Sequence, residues 1–188
     1  MTGRPDPERG PLRFAVQGVS GSGKSTLATA LAGAINAPHV ELDSLFHQPD
    51  WTPLDIEAFR ASVGRFVEQD RWVVDGNYRQ VRDLVWNRAD VILILDLSRS
   101  LVMWRIIRRT LTRLLRRQVL WNGNRESWRN MISNDPMVNI ILWSWTTHER
   151  FHHLVPLEAR ALSDHAEVVV LHRPRDVALF LHSRQLRH

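Results

Sequence analysis

Gly18-Val19-Ser20-Gly21-Ser22-Gly23-Lys24-Ser25 reads G-x-x-x-x-G-K-S, the spacing of a phosphate-binding loop. The residues before it, Leu12 to Gln17, are apolar enough for a buried strand. Those after it place Leu27, Ala28, Leu31, Ala34 and Ile35 on one helical face. A loop of this pattern between a strand and a helix is an anion site for stated reasons. Glycines let backbone N–H groups close on phosphate oxygens, and the new helix turns its positive end to the same anion. Gly18, Ser20, Gly21, Ser22, Gly23, Lys24, Ser25 and Thr26 are therefore the candidate nucleotide contacts. Lys24 would reach the β- and γ-phosphates and Ser25 would ligate Mg²⁺. Lys24 is also the sole lysine among 25 basic residues. A bias towards arginine explains the rest. It does not explain one compact ammonium kept where a planar guanidinium would not fit.

The 188 residues suit one domain, expected over 12–188 behind a disordered polar tail at 1–11. That tail lacks the pattern of a signal peptide, and the longest apolar run, Val91 to Leu95, is too short to span a membrane. No cysteine is present, which excludes disulfides and thiolate metal sites. The expectation is a soluble cytoplasmic protein. Its net charge of +5 is unevenly placed: Arg99 to Arg129 holds nine arginines against Glu126, so that segment is +8 and the remainder −3. A local polyanion partner follows.

Strands are expected at 12–17, 39–42, 72–74, 91–95 and 167–171. Helices are expected from 52 to about 69 with Thr52 as N-cap and Pro53 at N1, from 100 to 117, across 125–153 with a break at Pro136, and from 176 to 186. Trp104, Ile107, Leu111 and Leu114 would form the apolar face of the second of these. Alternating strands and helices imply a parallel sheet covered on both faces. In such sheets ligands bind at the carboxyl ends of the strands, where Asp43, Asp75 and Asp96 stand. Composition leaves both Asp75 and Asp96 open as the Mg²⁺-side acid.

Leu42-Asp43-Ser44-Leu45-Phe46, then Trp51, then Val73-Val74-Asp75-Gly76-Asn77-Tyr78, taken with the loop, resemble the bacterial DNA topology modulation protein family, a relative of adenylate kinase and shikimate kinase. The resemblance implies an α/β fold of three layers, the P-loop NTPase fold, with a five-stranded parallel sheet in the order 2-3-1-4-5 and a helical arginine-rich lid. That order sets strand 3 beside strand 1 and so favours Asp75 as the metal-side acid. Asp75-Gly76-Asn77-Tyr78-Arg79 is similar to the Asp-Gly-Phe-Pro-Arg stretch of adenylate kinases, without its proline; Asn77 and Arg79 are then acceptor contacts. Asp43 would face the γ-phosphate, touch the acceptor and take its proton. Arg105-Ile106-Ile107-Arg108-Arg109 is similar to the R-x-x-x-R of the adenylate kinase lid helix. Arg105 and Arg109 share a helical face and would hold the transferring phosphates. The lid is expected over 118–137.

His148-Glu149-Arg150-Phe151-His152 matches H-E-x-x-H, a zinc motif, but no flanking pattern supplies a third ligand. Trp121, Trp128, Trp143 and Trp145 surround the lid and could stack a planar ligand. The combined expectation is a kinase moving the γ-phosphoryl group of Mg·ATP to a small hydroxyl or nucleoside monophosphate acceptor, with Lys24, Asp43, Arg105 and Arg109 catalytic. The alternatives are a nucleic-acid-associated ATPase using Arg99–Arg129, and a nucleotide-binding regulator without turnover.

Overall fold

The computed structural model describes residues 12–116, 119–124, 135 and 139–185. Five strands, β1 (Arg13–Gly18), β2 (His39–Glu41), β3 (Trp72–Asp75), β4 (Val91–Leu95) and β5 (Glu167–Leu171), form one parallel sheet in the order β2-β3-β1-β4-β5. Helices α1 (Lys24–Ile35), α2 (Leu42–Phe46), α3 (Ile56–Val67), α4 (Arg82–Trp86), α5 (Arg99–Leu115), α6 (Ile140–Leu162) and α7 (Pro174–Gln185) connect and cover it.

The inner strands β3, β1 and β4 are buried on both faces, which is why β4 reads as an unbroken apolar run, while the edge strands β2 and β5 are partly exposed. Phe14, Val16, Val73, Leu93 and Leu95 pack on α1 and α7 through Leu27, Leu31 and Phe180. Ala15, Val74, Ile92 and Ile94 lie on the other face, with Phe59, Val63, Val85 and Trp86 of α3 and α4 and Phe151 and Val155 of α6. Three α/β layers result.

Several local expectations are corrected. Strand β2 ends at Glu41, so Asp43 sits in the first turn of α2 instead of closing a strand. The N-cap of α3 is Asp55, whose carboxylate accepts from the Glu57 and Ala58 amides at 3.0 and 3.2 Å; Thr52 lies outside the helix. Helix α6 runs through Pro156 to Leu162, since a proline removes one backbone donor without ending a helix already held by packed Phe151 and Val155. The expected break at Pro136 and most of the expected lid lie outside the described residues. On α5 the buried stripe is Val102, Ile106, Thr110 and Leu114, whereas Trp104, expected to be packed, is 57% exposed. Ile106 takes the inward direction because it drops onto the phosphate loop.

Replacing Asp55 by Ala should lower unfolding stability by about 1 kcal/mol, and Thr52→Ala by about 0.3 kcal/mol or less, in urea titrations. Equal losses would return the cap to Thr52.

Candidate functional site

The loop connects β1 to α1 in a form that only its own residue types permit. Gly21 and Gly23 have φ of 79° and 94°, and Gly23 is the N-cap of α1. A Cβ at Gly18 would lie 2.3 Å from Ser22 Oγ, and one at Gly21 would lie 2.4 Å from Ile106 Cγ1. Ser22 N–H turns inward to Val19 C=O at 3.1 Å, while the amides of Gly21, Gly23, Lys24 and Ser25 donate to no group among the described residues. Those unspent donors at a helix start form an anion cradle. Lys24 and Ser25 open the helix there, both partly exposed, and Thr26 follows at the surface.

Two helices close on the loop. Arg105 Nη1 donates to Ser22 C=O at 3.0 Å and Arg109 Nη2 to Ser20 Oγ at 2.9 Å. The fully buried Ser144 of α6 donates to Ser20 C=O at 3.3 Å. Arg105 and Arg109 thus lie one turn apart on one face of α5 and both touch the loop. Arg108 and Arg116 point to solvent, Arg108 lying over the Trp104 ring at 5.4 Å.

The acids at the strand ends divide into two sets. Asp75, 2% exposed, lies opposite Val16 of β1 and accepts from His39 Nε2 at 3.3 Å, with His39 Nδ1 against Thr29 Oγ1 at 3.4 Å. Glu41 stands beside it. Burial, then the Asp75 carboxylate, push the Glu41 carboxyl above its ordinary pKa, and Asp43 adds to this; His39 and a hydrogen bond from Trp121 act the other way. Carboxylates and the Ser25 hydroxyl are hard oxygen donors of the kind Mg²⁺ takes, and the mutual repulsion of Glu41 and Asp75 is a cost that a divalent cation removes. Glu41 was missed in the sequence, although Glu41-Leu42-Asp43 puts two acids two residues apart at a strand end.

Asp96 is placed differently. His152 Nδ1 lies 2.7 Å from both its oxygens and His172 Nδ1 3.1 Å from one, in a cleft of about 330 Å³ at the ends of β4 and β5. His148, the other motif histidine, turns Nε2 to Leu97 C=O at 2.9 Å. The H-E-x-x-H imidazoles therefore serve two different partners. Among the described residues no group of three or more histidine or acidic side chains is arranged around a metal position.

Asp43 accepts from the Tyr78 hydroxyl at 2.7 Å, and His47 Nε2 lies 3.3 Å from the same hydroxyl. Burial and the Asp43 charge push the Tyr78 phenol far up, so it remains a donor. Asn77 and Arg79 are exposed, and Asn77 Oδ1 accepts from Arg82 Nη2 at 2.7 Å. Of the four lid tryptophans, Trp121 joins the Asp43 side, Trp143 and Trp145 are exposed on α6, and Trp128 lies outside the described residues.

No family model matches the chain, and no curated protein matches it. Solved structures do. A gluconokinase from Sinorhizobium meliloti 1021 aligns with a TM-score of 0.51 and 21% identity over 94% of this chain and 91% of that one. A sugar kinase from Janibacter sp. HTCC2649 aligns with 0.51 and 20% over 94% and 98%. A shikimate kinase from Bacteroides thetaiotaomicron aligns with 0.53 and 14% over 94% and 98%. At these identities the likeness is one of fold, and the fold is the three-layer α/β architecture of P-loop kinases.

Glu41→Gln should raise the melting temperature at pH 7. A carboxyl whose folded pKa is raised loses its stability contribution as pH climbs from the unfolded value towards the folded one. The variant's advantage should therefore vanish below the ordinary carboxylate range, and saturating Mg²⁺ should shrink it at pH 7. A variant less stable than wild type at pH 7 would mean that the Trp121 contact outweighs the repulsion.

Proposed function

We propose that this protein is an ATP-dependent phosphotransferase of the P-loop kinase type, acting in the cytoplasm on a small acceptor. The observation that supports it most is the loop itself: the amides of Gly21, Gly23, Lys24 and Ser25 are unspent at the start of α1, and Arg105 and Arg109 reach the same loop at Ser22 and Ser20. No described helix is long and apolar enough to cross a membrane. The resemblance to the topology modulation family belongs to this proposal, as does the reading of residues 118–137 as a lid.

In this reading the amides of Gly21, Gly23, Lys24 and Ser25 hold the phosphates and Lys24 binds the β- and γ-oxygens. Arg105 and Arg109 exchange Ser22 C=O and Ser20 Oγ for phosphate oxygens as charge develops. Ser25 and Asp75, with Glu41 beside them, would hold Mg²⁺, which when bound offsets charge on the transferring group. Asp43 takes the proton of the attacking hydroxyl, and Tyr78 fixes the carboxylate that does so. Asn77 and Arg79 stand at the rim of the acceptor side. The kinase names of the structural neighbours agree with such chemistry. The nucleic-acid ATPase reading rests on a different observation, the exposure of Arg108 and Arg116 along α5.

Lys24→Ala should abolish acceptor-dependent ADP formation with the melting temperature unchanged; wild-type turnover would overturn the assignment. Arg105→Ala and Arg109→Ala should each lower kcat about 10²–10³-fold, with Arg108→Ala and Arg116→Ala mild. If instead all four weaken DNA binding alike and each lowers the salt slope by about one, with kcat unmoved, the nucleic-acid reading takes over.

A further inference from the structure

We infer that the acceptor is an uncharged, hydroxyl-bearing ring seated on an aromatic wall, and that phosphorylated acceptors, nucleoside monophosphates among them, are disfavoured; this rests on the kinase reading of the site.

The wall is built from four segments. The Phe46 and Tyr78 rings lie 4.8 Å apart, His47 and Trp51 5.3 Å, and His47 and Trp121 6.4 Å in a near-parallel stack. All five side chains are partly exposed, and Asp43 with its Tyr78 hydrogen bond lies among them. Their positions are imposed rather than relaxed. Trp51 has a φ of 58°, a conformation that costs a bulky residue on the order of 1–3 kcal/mol. Asn124, only 4% exposed, holds it there, accepting from Trp51 N–H and donating to Gln48 C=O, each at 2.9 Å. Asn122 donates to Ser44 C=O at 3.2 Å and His47 C=O at 2.5 Å. The turn at 121–124, which follows the arginine helix by five residues, is thereby fastened across the acceptor side and carries Trp121 with it. Flat apolar surfaces edged by hydroxyl, imidazole and carboxylate groups suit a ring with C–H or π faces and hydroxyls at its edge.

Charge points the same way. A phosphate ester needs several donors, usually a guanidinium fork. Two arginines near the end of β3 are engaged elsewhere. Arg60 donates to both Asp83 oxygens, at 2.8 and 2.6 Å, and to Gln80 C=O. Arg82 pairs with Glu158, donates to Asn77 Oδ1 and lies over the Trp86 ring. Arg79 alone can touch the rim of an acceptor, but it cannot enclose a phosphate. Against it stand three carboxylates, Glu41 opposite Asp75 across β2 and β3 and Asp43 two residues further on. The guanidiniums that face the loop, Arg105 and Arg109, lie at the donor phosphates.

The step balances simply. The acceptor oxygen bonds to the γ-phosphorus, the bond from that phosphorus to the β,γ-bridging oxygen breaks, ADP leaves, and the hydroxyl proton passes to the Asp43 carboxylate.

The test offers full-length protein labelled Mg·ATP with matched acceptors: neutral hexoses and polyols, nucleosides, and the phosphate esters and carboxylates of each. Equilibrium binding of Mg·ATP is measured separately. Label should move to a neutral compound, and sugars and nucleosides in separate arms identify its source. Trp51→Ala and, as the milder variant, Trp121→Phe should raise KM about tenfold with kcat little changed, the equivalent of one lost aromatic contact. Preferential transfer to a nucleoside monophosphate or another anion overturns the inference while the kinase reading stands. Transfer to no compound despite Mg·ATP binding also overturns it. A protein that binds no Mg·ATP overturns the kinase reading, and this inference with it.

Discussion

A glycine with no room for a methyl group governs the active end of this fold. At Gly21 a Cβ would meet Ile106 Cγ1 at 2.4 Å and Val102 C=O at 3.0 Å, so α5 lies directly on the phosphate loop. The approach fixes the register of everything along that helix. With Ile106 pointing into the loop, Arg105 and Arg109 fall on the flank that reaches Ser22 and Ser20, and Arg108 and Arg116 on the flank that does not. A single close contact thus sorts a run of arginines onto two flanks, one against the loop and one in solvent. Trp104 falls on the solvent flank with Arg108, whose guanidinium lies over its ring, and is exposed for the same reason.

The same helix couples the two halves of the site. Its chain leaves Leu115, and by residues 121–124 it is pinned to the α2 segment through Asn122 and Asn124. One continuous stretch therefore touches the loop at one end and the Asp43 neighbourhood at the other. Trp121, in that turn, also hydrogen-bonds the Glu41 carboxyl.

What could be read from the sequence follows the range of the interactions involved. The loop, the five strands, their order and the pairing of Arg105 with Arg109 are local patterns, or follow from one resemblance, and all are present. Glu41 escaped because β2 was read one residue too long, which placed Leu42 in the sheet and drew attention to Asp43 alone. Asp55 was passed over for Thr52 because Pro53 makes Thr52 an attractive cap by local rules. His47 and Pro53 instead form a β-bridge that keeps Thr52 extended. The face of α5 was misjudged because an amphipathic pattern cannot say that a glycine loop, not an apolar surface, will take Ile106. The Asp43–Tyr78 bond joins residues 35 apart, and the Asn124 clamp residues more than 70 apart; neither has a signature in spacing.

The choice between Asp75 and Asp96 turns on what each carboxylate has left to give. Asp96 has His152 and His172 on its oxygens at 2.7 and 3.1 Å, both imidazoles coming from outside the loop's surroundings. A cation there would have to displace two donors. Asp75 has one imidazole at 3.3 Å, a longer contact, and a second carboxylate beside it that is destabilised by the same charge. A cation arriving at Asp75 displaces one weak donor and relieves a repulsion; at Asp96 it relieves nothing. The register adds to this, because Asp75 lies opposite Val16 in β1, the strand that runs into the loop, whereas Asp96 follows β4 towards the histidine cleft. Electrostatic economy and position thus favour the same strand, and leave the buried Asp96 engaged by His152 of α6 and by His172, which follows β5.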